Sequence, residues 1–157
     1  MLKLVSLESI EKNWEFYKEQ IKIAFTSSEG GRIFTDNGSE QGLTEIYKRL
    51  TNPFSHTMHL WSKGKDDFIL LTELQISDIT DQKTLVLYSF TRTKEVDKEK
   101  LEQIWFDCYS AISEFARSNS CLGMICYSDL DYFAELAKKT KKWTNVITRY
   151  QFYFPLD

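Results

Sequence analysis

Phe68-Ile69-Leu70-Leu71-Thr72-Glu73-Leu74-Gln75-Ile76-Ser77, followed after a polar turn by Thr84-Leu85-Val86-Leu87-Tyr88-Ser89-Phe90, is the stretch that decides the fold. A strand sends successive side chains to opposite faces. Phe68, Leu70, Thr72, Leu74 and Ile76 then share one face, and Ile69 and Leu71 make the start of the other face apolar as well. A strand that is apolar on both sides is expected to be covered on both sides. Upstream, Met58 to Ser62 is another strand-like run, and Lys63-Gly64-Lys65-Asp66-Asp67 has the composition of a hairpin turn. Asp78 to Lys83 is the turn into the third run, Thr84 to Phe90.

Working outward, Lys3 to Val5 reads as a short opening strand. Ile10, Trp14, Tyr17, Ile21 and Phe25, spaced by three and four, predict one amphipathic helix over Ser9 to Phe25. Thr26 to Gly42, rich in Ser, Gly, Asp, Asn and Glu, reads as a long loop. Leu43 to Leu50 is a short helix, ended at Thr51-Asn52-Pro53 because proline restricts the residue before it. Asp97 is placed to cap a long helix whose period runs through Leu101, Ile104, Trp105, Cys108, Ile112, Phe115 and Ala116 to Arg117. Cys121 to Tyr127 then reads as a buried strand, Asp129 to Lys139 as a helix, and Asn145 to Phe154 as a terminal strand.

With 157 residues, one domain over 1–157 is expected, large enough to bury about 68–70% of its extended surface without disulfide or metal staples. The 42% hydrophobic and 27% charged residues, with only six Gly and two Pro, exclude a disordered or fibrous chain. A net charge of −3 argues against a dedicated nucleic-acid binder, whose phosphate contacts need a basic excess. No apolar run approaches the roughly 20 residues of a membrane span, and the N-terminus turns charged before a signal-peptide core can form, so no membrane role and no secretion by signal peptide are expected. Cys108, Cys121 and Cys126 are odd in number, lack C-x-x-C spacing and read as reduced core residues. His56 and His59 have no Asp, Glu or Cys nearby to complete a zinc set, so no metal is expected.

The order strand, helix, helix, three meandering strands, long helix, strand, helix, strand resembles the GNAT superfamily of N-acetyltransferases. More narrowly, it is similar to the short, divergent GNAT-like proteins of tailed bacteriophages. The local patterns are Phe68 to Leu74 for the third strand and Ile112 to Leu122, where a long helix runs into the next strand. The resemblance implies an α/β (α+β) fold, with a mixed, mainly antiparallel central sheet and helices on both faces. It also implies acetyl-CoA held by an Arg/Gln-x-x-Gly-x-Gly/Ala loop at a helix N-terminus. Here the loop reads Arg92-Thr93-Lys94-Glu95-Val96-Asp97, with Glu95 and Asp97 at the glycine positions. Side chains there block backbone approach, and two carboxylates would meet a pyrophosphate; Arg92, Lys94 and Lys98 are the cofactor-binding candidates if the site is used.

The resemblance further implies a Tyr on the last helix, five residues before the Phe of a Gly-Phe pair, that protonates the leaving thiolate. With Trp143 at the Phe position, Lys138 stands where that Tyr would be and Lys142 where the glycine would be. Tyr132, on the same helix, is the substitute acid. Glu73 is the candidate general base, since a carboxylate on a covered strand becomes a stronger base, and its alternative place is solvated on an outward face. The run Lys138-Lys139-Thr140-Lys141-Lys142 reads as cations complementing a helix C-terminus.

Two functions follow. The first is a non-catalytic, structural or protein-interaction GNAT-like component that binds no cofactor. It would be a homo-oligomer or part of a larger protein assembly, and a virion or phage assembly protein if phage-encoded, otherwise cytoplasmic. Its interface would be the terminal strand, where Tyr150, Phe152, Tyr153 and Phe154 put aromatics on both faces before Pro155. The alternative is an active N-acetyltransferase using acetyl-CoA through an atypical loop, with Glu73 as base, Tyr132 as acid and the 26–42 loop closing over the acceptor.

Overall fold

A computed structural model describes residues 1–26, 37–54, 57–92 and 97–126, together with 135, 138 and 139. The chain separates into two compact units, Met1–Tyr127 and Ser128–Asp157, and the elements below belong to the first. They run β1 (Leu2–Leu4), α1 (Leu7–Lys12), α2 (Trp14–Thr26), α3 (Asn37–Thr51), β2 (Met58–Lys63), β3 (Phe68–Ile76), β4 (Lys83–Arg92), α4 (Lys98–Ser118) and β5 (Gly123–Cys126). The five strands form one sheet in the order β1-β2-β3-β4-β5. The first three pairings are antiparallel and β4–β5 is parallel, as a strand return through a helical crossover requires.

The expected single helix over Ser9 to Phe25 is two. Asn13 ends α1 in a non-helical conformation, its N–H and side-chain amide both donating to the Ser9 carbonyl. Its own carbonyl then accepts from Phe16 and Tyr17 to start α2. The apolar period survives the break because Ile10, Tyr17 and Ile21 are all buried. The expected loop over Thr26 to Gly42 is corrected at its end, where 37–42 form the first turns of α3. Gly38 and Gly42 each cost a helix about 1 kcal/mol against alanine, which made that stretch read as loop; Lys18 of α2 pairs with Glu40 at 2.9 Å to hold it in place. Residues 27–36 of the expected loop lie outside the described residues.

One face of the sheet, Met58, Leu60, Ile69 and Leu71, packs on Ile10, Tyr17, Ile21, Leu43, Ile46 and Leu50 of the first three helices. On the other face lies α4, with Ile104, Trp105, Cys108, Ile112 and Ala116 buried. His59 and Trp61 meet the Phe115 ring edge-on, centroids 4.9 Å apart in each case. The Trp61 indole N–H donates to Thr72 Oγ1 at 2.9 Å, so two buried polar groups satisfy each other inside this layer. Lys63 reaches Asp107 at 2.8 Å and ties β2 to α4. Helices on both faces of a mainly antiparallel sheet are the expected architecture.

β5 corrects a further expectation. It begins at Gly123 rather than Cys121, Tyr127 lies outside the described residues, and Cys121 and Cys126 are half-buried rather than core; of the three cysteines only Cys108 is fully buried. Of the helix expected over Asp129 to Lys139, Glu135, Lys138 and Lys139 are helical and exposed, and the rest lies outside the described residues, as does the terminal strand. No described helix is long and apolar enough to cross a membrane.

Candidate active site

The β3–β4 ladder carries one irregularity. Leu71 pairs with Ser89 and Thr72 with Leu87, so Tyr88 is an extra residue, a β-bulge in β4. Among the described residues the parallel pairing with β5 joins Thr84–Leu87 to Gly123–Cys126, and β4 continues to Arg92. The bulge therefore lies one residue past the described part of that ladder.

Glu73 lies close by, in the β3 row Ile69, Leu71, Glu73 and Gln75 that faces the first three helices. It is buried, 7% exposed, which corrects the expectation of a solvated, outward carboxylate. A buried carboxylate needs compensation, and it comes from three directions. Arg49, in the last turn of α3, donates Nη1 to Glu73 Oε1 at 2.5 Å. The Tyr88 hydroxyl donates to Oε2 at 2.6 Å, and the Gln75 amide donates to the same oxygen at 3.2 Å. Gln75 also donates to the Tyr88 oxygen at 2.7 Å. Arg49 has a second carboxylate within reach, Glu45 one helical turn back, with Nε 3.4 Å from Oε1. Burial first, then the hydrogen bond to Glu73 and its charge, push the Tyr88 phenol up to about 12, so the hydroxyl keeps its proton throughout the physiological range.

Glu73 is thus the one catalytic candidate from the sequence that this cluster contains. Arg49 and Tyr88 were missed: Arg49 reads only as a helix-end cation, and Tyr88 as one position in a regular alternation. Tyr132 and Lys94 lie outside the described residues, and the side chains of Arg92 and Lys98 do as well. The same holds for Glu95 and for the interface candidates Tyr150, Phe152, Tyr153 and Phe154. Among the described residues no group of three His, Cys, Asp or Glu could hold a metal ion.

The start of α4 is the position where the resemblance would put the cofactor's pyrophosphate. Asp97 caps it: its carboxylate accepts from the Lys100 N–H at 2.7 Å and its carbonyl from Leu101. Glu99 adds an acid to the first turn. One backbone donor of the helix start, the Lys100 N–H, is thereby taken by the chain's own anion. The capping carboxylate of Asp97 and the acid at Glu99 place negative charge where a pyrophosphate would sit, a poor fit for that group.

No family model matches the sequence, and no curated protein does. Solved structures do match, over the whole chain. One is an aminoglycoside acetyltransferase from an uncultured soil metagenomic sample, in complex with sisomicin: TM-score 0.63, 13% identity, covering 100% of this chain and 96% of that one. A second aminoglycoside acetyltransferase from such a sample gives TM-score 0.64 at 10% identity, covering 100% and 98%. A GNAT family acetyltransferase of Staphylococcus aureus subsp. aureus USA300_TCH1516 gives 0.57 at 12%, covering 99% and 98%. The fold is GNAT-like, of the kind these acetyltransferases share.

Proposed function

We propose that the protein is an N-acetyltransferase that moves an acetyl group from acetyl-CoA to an amine. The observation that carries this reading is the buried Glu73–Tyr88 pair beside the β4 bulge, in a chain whose full length follows an acetyltransferase fold. The neighbours favour the catalytic alternative over the non-catalytic reading, while the acceptor and the chemistry rest on the cluster itself. An acetyl-CoA thioester, when bound, supplies the activated acyl group.

An amine acceptor arrives as an ammonium ion and must lose a proton before it can attack. Glu73 Oε2, whose present donors are neutral, is the atom to take that proton. Before an acceptor enters, Arg49 holds the carboxylate from the opposite oxygen. Tyr88 keeps its proton at neutral pH and donates it in a hydrogen bond to Glu73 Oε2. Once Glu73 holds the proton taken from the amine, the phenol can pass its own to the departing group and regain one from Glu73, in place of the last-helix tyrosine that the sequence lacks at Lys138. The acids at the start of α4 disfavour a pyrophosphate there, and Arg92 and Lys94 remain the candidate cations for it.

One observation favours a second reading. A helix start that is both capped by Asp97 and followed by Glu99 suits a domain that has given up the cofactor and acts as a structural or protein-interaction unit. Such a unit would be assembly-related, with a phage virion as one setting and Tyr150 to Phe154 as its contact. The deciding experiment is thiol release from acetyl-CoA over a panel of polyamines, aminoglycosides and lysine peptides, alongside calorimetric titration with acetyl-CoA. Turnover with micromolar binding supports the enzyme. A folded protein that neither binds nor turns over eliminates it.

A further inference from the structure

The contact between Arg49 and Glu73 joins groups in very different surroundings. The Glu73 side chain is 9% exposed, whereas the Arg49 side chain is 47% exposed. The anion is built into the sheet; the cation reaches down to it from the last turn of α3 with half its surface in water. A guanidinium held this way costs little to withdraw, and it has somewhere to go, because Glu45 lies one turn back on the exposed face of the same helix. Glu73 has no such freedom. Without a cation it would be a buried charge held, among the described residues, by Tyr88 and Gln75, which is costly.

We infer that Arg49 is an exchangeable internal cation occupying the position that the acceptor's ammonium group takes at Glu73, and that it moves to Glu45 when the acceptor enters. The inference rests on the acetyl-transfer reading for the identity of the ligand as an acceptor, but the seat is defined by the cluster alone. The ligand class is a primary ammonium at the end of a flexible chain. Such a group replaces one positive charge by another, so the buried carboxylate is never left uncompensated, and three acceptor oxygens are within reach: both oxygens of Glu73 and the hydroxyl of Tyr88. A neutral or anionic ligand gains nothing from displacing Arg49 and is excluded by it. The arginine therefore both screens ligands by charge and weakens the binding of those it admits, since affinity is reduced by the fraction of time the seat is already filled.

Spermidine is the probe, titrated calorimetrically into the full chain. Arg49→Ala is expected to bind it at least about tenfold more tightly than the unaltered protein. Adding Glu73→Gln to that variant is expected to abolish the gain. Unchanged or weaker binding by Arg49→Ala overturns the inference, and so does a gain that survives Glu73→Gln. Removing Arg49 exposes the fold to an uncompensated carboxylate, so the unaltered protein supplies a second measurement. The Arg49 Nε–H signal in nitrogen-edited NMR is expected to shift saturably as spermidine is added, and a signal that stays put at saturation refutes the exchange. Tightening dependent on Glu73 without thiol release from acetyl-CoA keeps the cation seat and removes the acetyl-transfer reading; thiol release without tightening does the reverse.

Discussion

Replacing Tyr88 by phenylalanine isolates the hydroxyl at the centre of the cluster. At pH 8 the variant loses the donation to Glu73 Oε2 and the bond received from Gln75. A hydrogen bond to a charged partner contributes about 1.5–3 kcal/mol. Because Tyr88 is only partly buried, the expected loss is about 1–2 kcal/mol. The pH dependence is the sharper signal. The phenol is raised from its ordinary 10.0 to about 12, by burial first and then by Glu73. A raised value in the folded state means that the stabilisation is whole below pH 10 and drains away between pH 10 and 12, where the unfolded chain has released its proton and the folded one has not. Two pH units correspond to about 2.7 kcal/mol at full strength, and solvent screening of a partly exposed group reduces this to about 1–1.5 kcal/mol. Phenylalanine has no proton to lose, so the stability gap between the two proteins closes by that amount over the same window. Lysines titrating there act on both proteins alike. Urea unfolding at pH 8, 10, 11 and 12, followed by tryptophan fluorescence and circular dichroism, measures the gap. A gap that stays constant or widens refutes the arrangement of Tyr88 against Glu73.

Leu71, 0% exposed in the centre of β3, is expected to cost about 2–5 kcal/mol when replaced by alanine, measured by the same unfolding curves with an unchanged slope; a loss under 1 kcal/mol would mean that the two layers do not close over it. Asp97→Ala should destabilise by about 0.5–2 kcal/mol through loss of the α4 cap. The same change frees the Lys100 N–H and should tighten acetyl-CoA binding in calorimetry, whereas weaker binding would show that the cap does not compete with the cofactor. Burial pushes the Cys108 thiol up to about 11 and Cys126 likewise to about 11, and raises Cys121 with burial again the leading cause. Since the thiolate is the reactive species, a disulfide reagent at pH 8 should label Cys121 first and Cys108 only on unfolding, and mass spectrometry showing Cys108 labelled early would contradict its place in the core.

The meander, the long helix and the crossover to β5 were legible because each rests on a period that burial enforces: Phe68 to Ile76 filling both faces, and Leu101 to Ala116 turning one stripe to the sheet. What escaped the sequence has two physical causes. Where the backbone is interrupted without disturbing the apolar period, as at Asn13, the pattern reads straight through the break. The bulge at Tyr88 is the same effect in a strand, since Thr84 to Phe90 shows no turn residue or glycine to mark an extra position. The other cause is pairing across distance. Nothing near Glu73 in sequence announces Arg49, 24 residues upstream, so the carboxylate was free to read as solvated. The acidic replacement at Asp97 was legible in full, because capping is local.

The opening strand has a consequence for how the chain is made. Leu2, Lys3 and Leu4 pair with Lys63, Ser62 and Trp61, and the Val5 N–H donates to the Leu60 carbonyl. Three helices separate them in the chain from their partner strand, which is completed only after all three have been synthesised. Closing so long a loop carries an entropy cost that the β2–β3 and β3–β4 hairpins do not bear. During synthesis the first strand must wait in water as an unpaired segment. Its brevity, three residues with Lys3 and Leu4 still exposed in the finished sheet, gives a waiting edge little with which to capture another nascent chain.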